Sequence, residues 1–199
     1  AEMEAAETAV AVARGLKDRS GEVRAAALRL LPELDMAPAE VAGLLELVIA
    51  RGETQEQQSA LLALGDLPGE ASSPVLLRLL AQLEGGRLSR EIELDLLEIA
   101  GAHPDAGLQS RVVAYQTARA AEDDLGPYRA ALYGGNYRDG WRVFSQHEAA
   151  QCTRCHALGG NGGGVGPDLA GLANQLDRED ILRSLVLPSA RLAPGYGNV

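Results

Sequence analysis

Several residue types are scarce in this chain. Its 199 residues include only two cysteines, two methionines, three histidines, one tryptophan and one phenylalanine, and aromatic residues make up 4% of the total. Two cysteines exclude a disulfide-rich scaffold. Abundant Ala and Leu, beside few aromatic and β-branched residues, favour helices over sheets and predict an all-α fold. No apolar run approaches the roughly 18 residues that suggest a membrane-spanning helix, so we expect no membrane insertion.

Positive charge is also in deficit, and the formal net charge is −10. An acidic surface repels nucleic acid and anionic membranes, so neither is an expected partner. The 46% hydrophobic fraction and the length allow one or two globular domains with a hydrophobic core. Basic or neutral protein partners fit this charge, and the sequence leaves homo-oligomerisation open.

The sequence of residues 1–125 predicts paired helices of similar length. Residues 20–28 offer an N-cap, an early acidic residue and apolar positions at helical spacing. Residues 54–62 repeat this layout about 34 positions later, which places Ala60 in the position of Ala26, and Leu62 in the position of Leu28. A weaker copy begins at Ser89.

A further helix is predicted before each of these segments, at residues 7–17, 38–50 and 74–83. Pro38 and Pro74 would lie in the first turn, where proline is tolerated. A helix pair buries its apolar stripe only by stacking on other pairs, which predicts a solenoid; an irregular helical bundle is the alternative. Residues 20–31 resemble a HEAT repeat, and the resemblance covers about the first hundred residues.

Both cysteines lie in the segment CTRCH, where Cys152 and Cys155 are followed by His156. This is the attachment pattern of haem c. Two thiols on one helical turn can add to the vinyl groups of one porphyrin, and the imidazole then becomes the proximal iron ligand. A structural zinc site would need two more ligands, and His147 alone does not complete one. A thioredoxin-like pair would follow a strand, and a disulfide across so short a loop would be strained.

The segment before this motif is predicted to be helical, and the segment after it is rich in glycine. A helix begins near Asp139, in which Gly140 would allow another helix to cross closely, and Trp141 and Phe144 would supply packing area. Residues 159–169 lack the Lys and Ser or Thr of a phosphate-binding loop. Beside a haem, these glycines would let the backbone fold tightly over the porphyrin edge. Another helix is predicted at residues 178–186, capped by Asp177.

Residues 134–196, with CTRCH, VGPDL, LPSA and PGYG in this order, resemble the cytochrome c domain at the end of large multidomain bacterial dehydrogenases. Together, the two resemblances imply HEAT-like repeats over residues 1–125 and a cytochrome c domain over residues 126–199. The resemblance to cytochrome c implies one haem c bound through Cys152 and Cys155, with His156 as the proximal ligand. It further implies that the Pro167 carbonyl accepts a hydrogen bond from His156 Nδ1. The other residues implied to contact the haem are Phe144, Gly166 and Leu169.

The sixth iron ligand is not evident. The family pattern continues beyond PGYG with a distal methionine, and because the sequence ends at Val199 we expect further residues to follow. Weak alternatives are an open position or ligation by one of four residues: His147, His103, Met36 or Met3.

Electron transfer is the function that the resemblance implies. A periplasmic dehydrogenase of the sugar or alcohol type, as a domain or a partner, would donate the electrons, and the repeats would be a docking platform. Covalent haem implies a periplasmic or otherwise exported protein. One alternative is a haem enzyme or sensor that uses an open sixth position, with His147, Arg142 or Arg154 as distal groups. Another is an interaction scaffold with a structural haem.

Overall fold

A computed structural model describes residues 2–190, 192 and 195 of the chain, without the side chains of residues 2–6. The described part is mostly helical, which confirms the all-α prediction. The chain divides into two compact units, Ala1–Arg119 and Ala120–Val199; the predicted boundary lies slightly later, between residues 125 and 126. Within the described part, no helix is long and apolar enough to span a membrane.

The first unit is built from helices that contact one another in pairs. Helix α1 contacts α2, α3 contacts α4 and α5 contacts α6, while α2, α4 and α6 contact in series, as do α3 and α5. The bounds of these helices and of the one that follows are α1 Glu2–Gly15, α2 Gly21–Arg29, α3 Pro38–Arg51, α4 Thr54–Gly65, α5 Gly69–Glu84, α6 Glu93–Ala102 and α7 Ala106–Ala120.

The core of the first unit consists almost entirely of aliphatic side chains. Burial of each such side chain stabilises the unit by roughly 1.5–3 kcal/mol relative to leaving it exposed. The largest of them that are fully buried are Leu45, Leu61, Leu64, Leu76, Leu80, Ile92, Leu96 and Leu108.

The register predicted for the repeated segments is wrong by one residue. Ala26 is exposed and Leu62 is 42% exposed, whereas Ala60 is fully buried. Burial instead matches Ala27 with Ala60, and Leu28 with Leu61. Because Leu61 and Leu62 are adjacent, helical periodicity alone allows either of them to face the core. Packing of α2 on α4 selects Leu61.

The predicted start of the fifth helix is also wrong. Helix α5 begins at Gly69 after Pro68, so Pro74 lies inside the helix and not in its first turn. Proline has no N–H to donate to the carbonyl four residues earlier, so this helix lacks one backbone hydrogen bond near its start. Helix α3 begins at Pro38, as predicted.

Arginine–glutamate pairs join helices that lie about thirty residues apart in sequence. The first two pairs join helices that also contact each other, α2 with α4 and α3 with α5, and the third joins α7 to α5. The three N–O distances are 2.5 Å for Arg24–Glu56, 2.7 Å for Arg78–Glu46 and 2.5 Å for Arg111–Glu84.

The second unit has short elements and little buried surface. In α8, α9 and α10, which the structure describes fully, no residue is fully buried. Arg129 pairs with Glu179 at 3.1 Å, and Arg178 donates to the Leu132 carbonyl at 2.7 Å. The elements are a 3-10 helix at Gly126–Leu132, α8 Tyr137–Gln146, α9 Cys152–Cys155, β1 Ala157–Leu158, β2 Asn161–Gly162, a 3-10 helix at Leu172–Asn174 and α10 Arg178–Val186. Asp177 caps α10 as predicted, because its carboxylate accepts from Asp180 N at 2.8 Å.

Candidate functional site

Both cysteines lie on the single turn of α9. Cys152 is half-buried, Cys155 is exposed, and both thiols are free. The backbone N–H of His156 donates to the Cys152 carbonyl at 2.9 Å and ends this turn. Gln151 precedes it with a φ of 45°, a left-handed conformation that costs a non-glycine residue roughly 1–2 kcal/mol. The turn therefore presents two thiols at the spacing that the motif requires.

The imidazole of His156 is held by a backbone carbonyl. Its Nδ1 donates to the Pro167 oxygen at 3.0 Å. Because a carbonyl oxygen only accepts, Nδ1 carries a proton, and in the neutral ring the lone pair therefore lies on Nε2. Among the described residues, none forms a hydrogen bond with Nε2. The ring is therefore fixed in the tautomer that can bind a metal through Nε2.

Glycine allows the loop after β2 to approach the attachment turn, the single turn of α9 that carries Cys152 and Cys155. A Cβ at Gly166 would lie 2.7 Å from Cε1 and 2.8 Å from Nδ1 of His156. Cβ atoms at Gly162 and Gly163 would collide with the backbone carbonyls of His156 and Arg154. The glycines were predicted to fold over a porphyrin edge; in the structure they cover the attachment turn and the histidine ring.

Backbone hydrogen bonds hold this loop against the turn. Gly166 N donates to the Cys155 carbonyl at 2.7 Å, and Leu169 N donates to the Ala157 carbonyl at 2.9 Å. Pro167 lies between these two contacts. The position of its carbonyl is therefore set from both sides.

Asp168 ties the same loop to the β-hairpin. One carboxylate oxygen accepts from Gly159 N at 3.0 Å and from Ala170 N at 2.8 Å, and the other accepts from Gly160 N at 2.8 Å. These N–H groups, led by that of Ala170, lower the pKa of Asp168 below its ordinary value. No role was predicted for Asp168 from the sequence; its place directly after Pro167 was the available signal.

An apolar groove of about 580 Å³ lies along α8 and is bordered on its other side by Leu158 and Leu169. The rings of Trp141 and Phe144 are 5.9 Å apart on its α8 side. Two of the residues implied to contact haem, Phe144 and Leu169, line it together. The full lining is Tyr137, Arg138, Gly140, Trp141, Phe144, Leu158 and Leu169.

The close helix crossing predicted at Gly140 is not found among the described residues. A Cβ at this position would meet no atom within 4 Å, so among the described residues no helix crosses closely there. Gly140 instead lines the groove. The absence of a side chain at this position widens the groove beside α8.

The two weak histidine candidates for the sixth ligand are both engaged. His147 is exposed, and its Nδ1 accepts from Ala150 N at 3.1 Å. His103 is 6% exposed in the first unit. Its Nδ1 accepts from Asp105 N at 3.1 Å, so its Nε2 is the protonated nitrogen and donates to Ser72 Oγ at 3.1 Å. His103 therefore keeps no nitrogen for a metal.

The structure gives no support to the two methionine candidates for the sixth ligand. Met36 is half-buried in the bend before α3, within the first unit. The Met3 side chain lies outside the described residues, as do Pro194 and Tyr196 of the PGYG segment.

The arginines considered as distal groups also have partners. Arg142 pairs with Asp139 at 2.8 Å, and Arg154 donates to the Gln151 side chain at 3.0 Å. Neither lines the groove. This arrangement favours no distal acid or base.

The alternative metal chemistry finds little support in the described residues. No group of three or more His, Cys, Asp or Glu residues converges there in a way that could hold a metal ion, whereas a structural zinc site needs four ligands. Strands β1 and β2 are two residues long and antiparallel, which is not the βαβ setting of a thioredoxin-like pair. The free thiols and the oriented imidazole have the chemistry that covalent attachment of a haem requires; the apolar groove is lined by neighbouring residues and by none of these three.

Compared with known proteins, the chain matches no family model, no curated protein and no solved structure. Its function is therefore inferred from the site itself.

Proposed function

We propose that this chain is a c-type cytochrome module that transfers electrons through a single haem. The observation that carries the proposal is the 3.0 Å hydrogen bond from His156 Nδ1 to the Pro167 carbonyl, directly after two free thiols on one turn. When bound, haem c supplies an iron centre that gains and loses one electron. Cys152 and Cys155 would hold it through thioethers, and His156 would ligate the iron through Nε2.

The remaining residues of the site prepare this environment. The Pro167 carbonyl orients the imidazole and increases its basicity as a ligand. Phe144, Trp141 and Leu169 offer an apolar surface to the porphyrin and exclude water from it. Such burial is one of the means by which a protein sets a reduction potential. Transfer of an electron requires no acid or base, in keeping with the engaged histidine and arginines nearby.

The helical repeats would form a HEAT-like docking platform. Support comes from the serial contacts of α2, α4 and α6 and of α3 and α5, which are typical of stacked helix pairs. Residues 1–119 contain 19 acidic and 11 basic side chains, so they carry −8 of the net charge of −10. A partner with a basic surface fits this charge. We infer a bacterial dehydrogenase as electron donor and a periplasmic or otherwise exported location, where haem is attached to such motifs.

Mass spectrometry and an optical spectrum test the proposal. The full chain, produced with a haem-attachment system, is expected to gain the mass of one haem and, with a sixth ligand bound, to show a low-spin spectrum when reduced. A chain without added haem, or with a metal ion bound at the two thiols, would disprove it. A high-spin form that binds carbon monoxide readily would instead support the haem enzyme or sensor.

Substitutions of two histidines provide a matched pair. His156→Ala is expected to abolish the low-spin spectrum, because it removes the proximal ligand. His147→Ala changes an exposed imidazole nine positions earlier in the sequence and is expected to leave the spectrum unchanged. Equal effects of the two substitutions would contradict the assignment of His156.

A further inference from the structure

We infer that Asp168 is a positioning residue for the iron ligand, which acts through the loop that carries the Pro167 carbonyl and thereby helps to set the reduction potential. This inference rests on the proposed function. Asp168 does not contact His156 itself. Its carboxylate instead fixes the segment immediately after the proline.

Three hydrogen bonds anchor this carboxylate. Gly159 and Gly160 form the turn between β1 and β2, with φ values of 61° and 82°, so both backbone N–H groups of the turn are directed to Asp168. The third N–H belongs to Ala170, two residues further along the loop. Asp168 therefore joins the hairpin turn, which precedes it in the chain, to the backbone that follows it.

The anchored segment is the one that controls the imidazole. Pro167 is bonded covalently to Asp168, and its carbonyl is the acceptor for His156 Nδ1. The backbone contacts Gly166 N to Cys155 O and Leu169 N to Ala157 O hold the same segment on the attachment turn. Among the described residues, Asp168 adds the one side-chain anchor of this segment besides the hydrogen bond of His156. Its loss would let the carbonyl move away from the imidazole.

Weakening of the Nδ1 hydrogen bond has a predictable electronic effect. The carbonyl acceptor makes the imidazole a stronger electron donor, which stabilises the oxidised iron. A looser carbonyl would make His156 a weaker donor and raise the reduction potential. We therefore expect the ratio of reduced to oxidised protein at a fixed ambient potential to rise when this anchor is lost.

Two substitutions should give a graded response. Asp168→Asn keeps one oxygen, which can still accept from Gly159 N and Ala170 N, and loses the acceptor for Gly160 N. Asp168→Ala loses all three hydrogen bonds. The potential is therefore expected to rise in the order wild type, Asn, Ala. If the Asp168→Ala variant does not acquire haem, the Asp168→Asn variant still provides the test.

Asp177→Ala is the matched control. Asp177 is an exposed aspartate of the same unit, and its carboxylate accepts from a backbone N–H at the start of α10. Its loss should lower stability without changing the potential. An unchanged potential in both Asp168 variants, or an equal shift in the Asp177 variant, would overturn the inference.

A second measurement separates this inference from the proposed function. If the wild-type chain carries no haem, the proposed function has failed, and nitrogen NMR of His156 in the haem-free chain still tests Asp168. The proton is expected on Nδ1 in the wild type and shared between both nitrogens in Asp168→Ala. The same tautomer in both proteins would contradict a positioning role.

Discussion

Individual glycines of the loop after β1 have different physical roles. Gly159 and Gly160 supply the positive φ values of the hairpin turn. Gly166 is required for space, because its backbone lies against the ring of His156. A Cβ at Gly164 would meet no atom within 4 Å, and no positive φ is found there. A run of similar residues in the sequence therefore contains both required and replaceable positions.

Substitution at Gly166 is expected to disturb His156, the proposed iron ligand. In Gly166→Ala the added methyl group would overlap the imidazole of His156, which must rotate and lose its bond to Pro167. Forced packing of this kind costs about 1–3 kcal/mol. We expect a smaller fraction of the chain to carry haem and a raised reduction potential, measured by mass spectrometry and redox titration. Gly164→Ala should behave like the wild type, and a similar loss in both variants would refute the steric explanation.

At the scale of the element, burial distinguishes neighbours that look alike in sequence. Leu61 and Leu62 both lie in α4, yet Leu61 is 0% exposed and Leu62 is 42% exposed. Periodicity predicted the helix and its apolar character. Contacts with α2 and α6 decided which leucine enters the core.

These two leucines give a direct test of the helix packing. Leu61→Ala is expected to lower the free energy of unfolding by about 2–5 kcal/mol, because it leaves a cavity in a close-packed core. Leu62→Ala removes the same atoms from a partly exposed position and should cost clearly less. Urea unfolding followed by circular dichroism measures both. Equal losses would mean that the packing of α4 is assigned incorrectly.

The pair that joins α2 to α4 predicts a dependence of stability on pH. The hydrogen bond from the Arg24 side chain, followed by that from Glu53 N, lowers the pKa of Glu56 below its ordinary value of 4.5. Because the folded-state pKa is the lower one, ionised Glu56 stabilises the fold at pH above about 4.5, and this contribution is lost as the pH falls through the folded-state pKa.

Glu56→Gln measures this contribution. The urea midpoint of the wild type should exceed that of the variant at neutral pH, and the gap should close in acid. Glu46→Gln is the control, because its partner Arg78 is 54% exposed, against 22% for Arg24, and exposed pairs contribute little. A gap for Glu56→Gln that persists unchanged in acid would show that charge is not its cause.

At the scale of the whole molecule, the two units differ in how much they bury. The first unit has a continuous aliphatic core, whereas α8, α9 and α10 of the second contain no fully buried residue. Exposed apolar side chains such as Trp141 and Val165 are frequent in the second unit. A porphyrin in the groove would supply apolar surface for some of these side chains.

Hydrogen exchange should reveal this difference. In the haem-free chain, amide protons of α4 are expected to exchange far more slowly than those of α8, because opening of α8 exposes little buried surface. Attachment of haem should slow exchange in α8 and leave α4 unchanged, since a bound group stabilises the state that it binds. Strong protection of α8 without haem would contradict the proposed contribution of the porphyrin to this unit.

The sequence by itself determined the local features: helices from composition and periodicity, the cap of α10 by Asp177, and a turn that presents Cys152 and Cys155 before His156. These depend on residues close together in the chain, so spacing and propensity suffice. Only the tertiary structure decided that Leu61 and not Leu62 enters the core, that Gly140 borders a groove, that both nitrogens of His103 are engaged, and that Asp168 anchors the loop behind the imidazole. Each of these depends on which distant atoms meet, and close packing settles that only when the whole chain is folded.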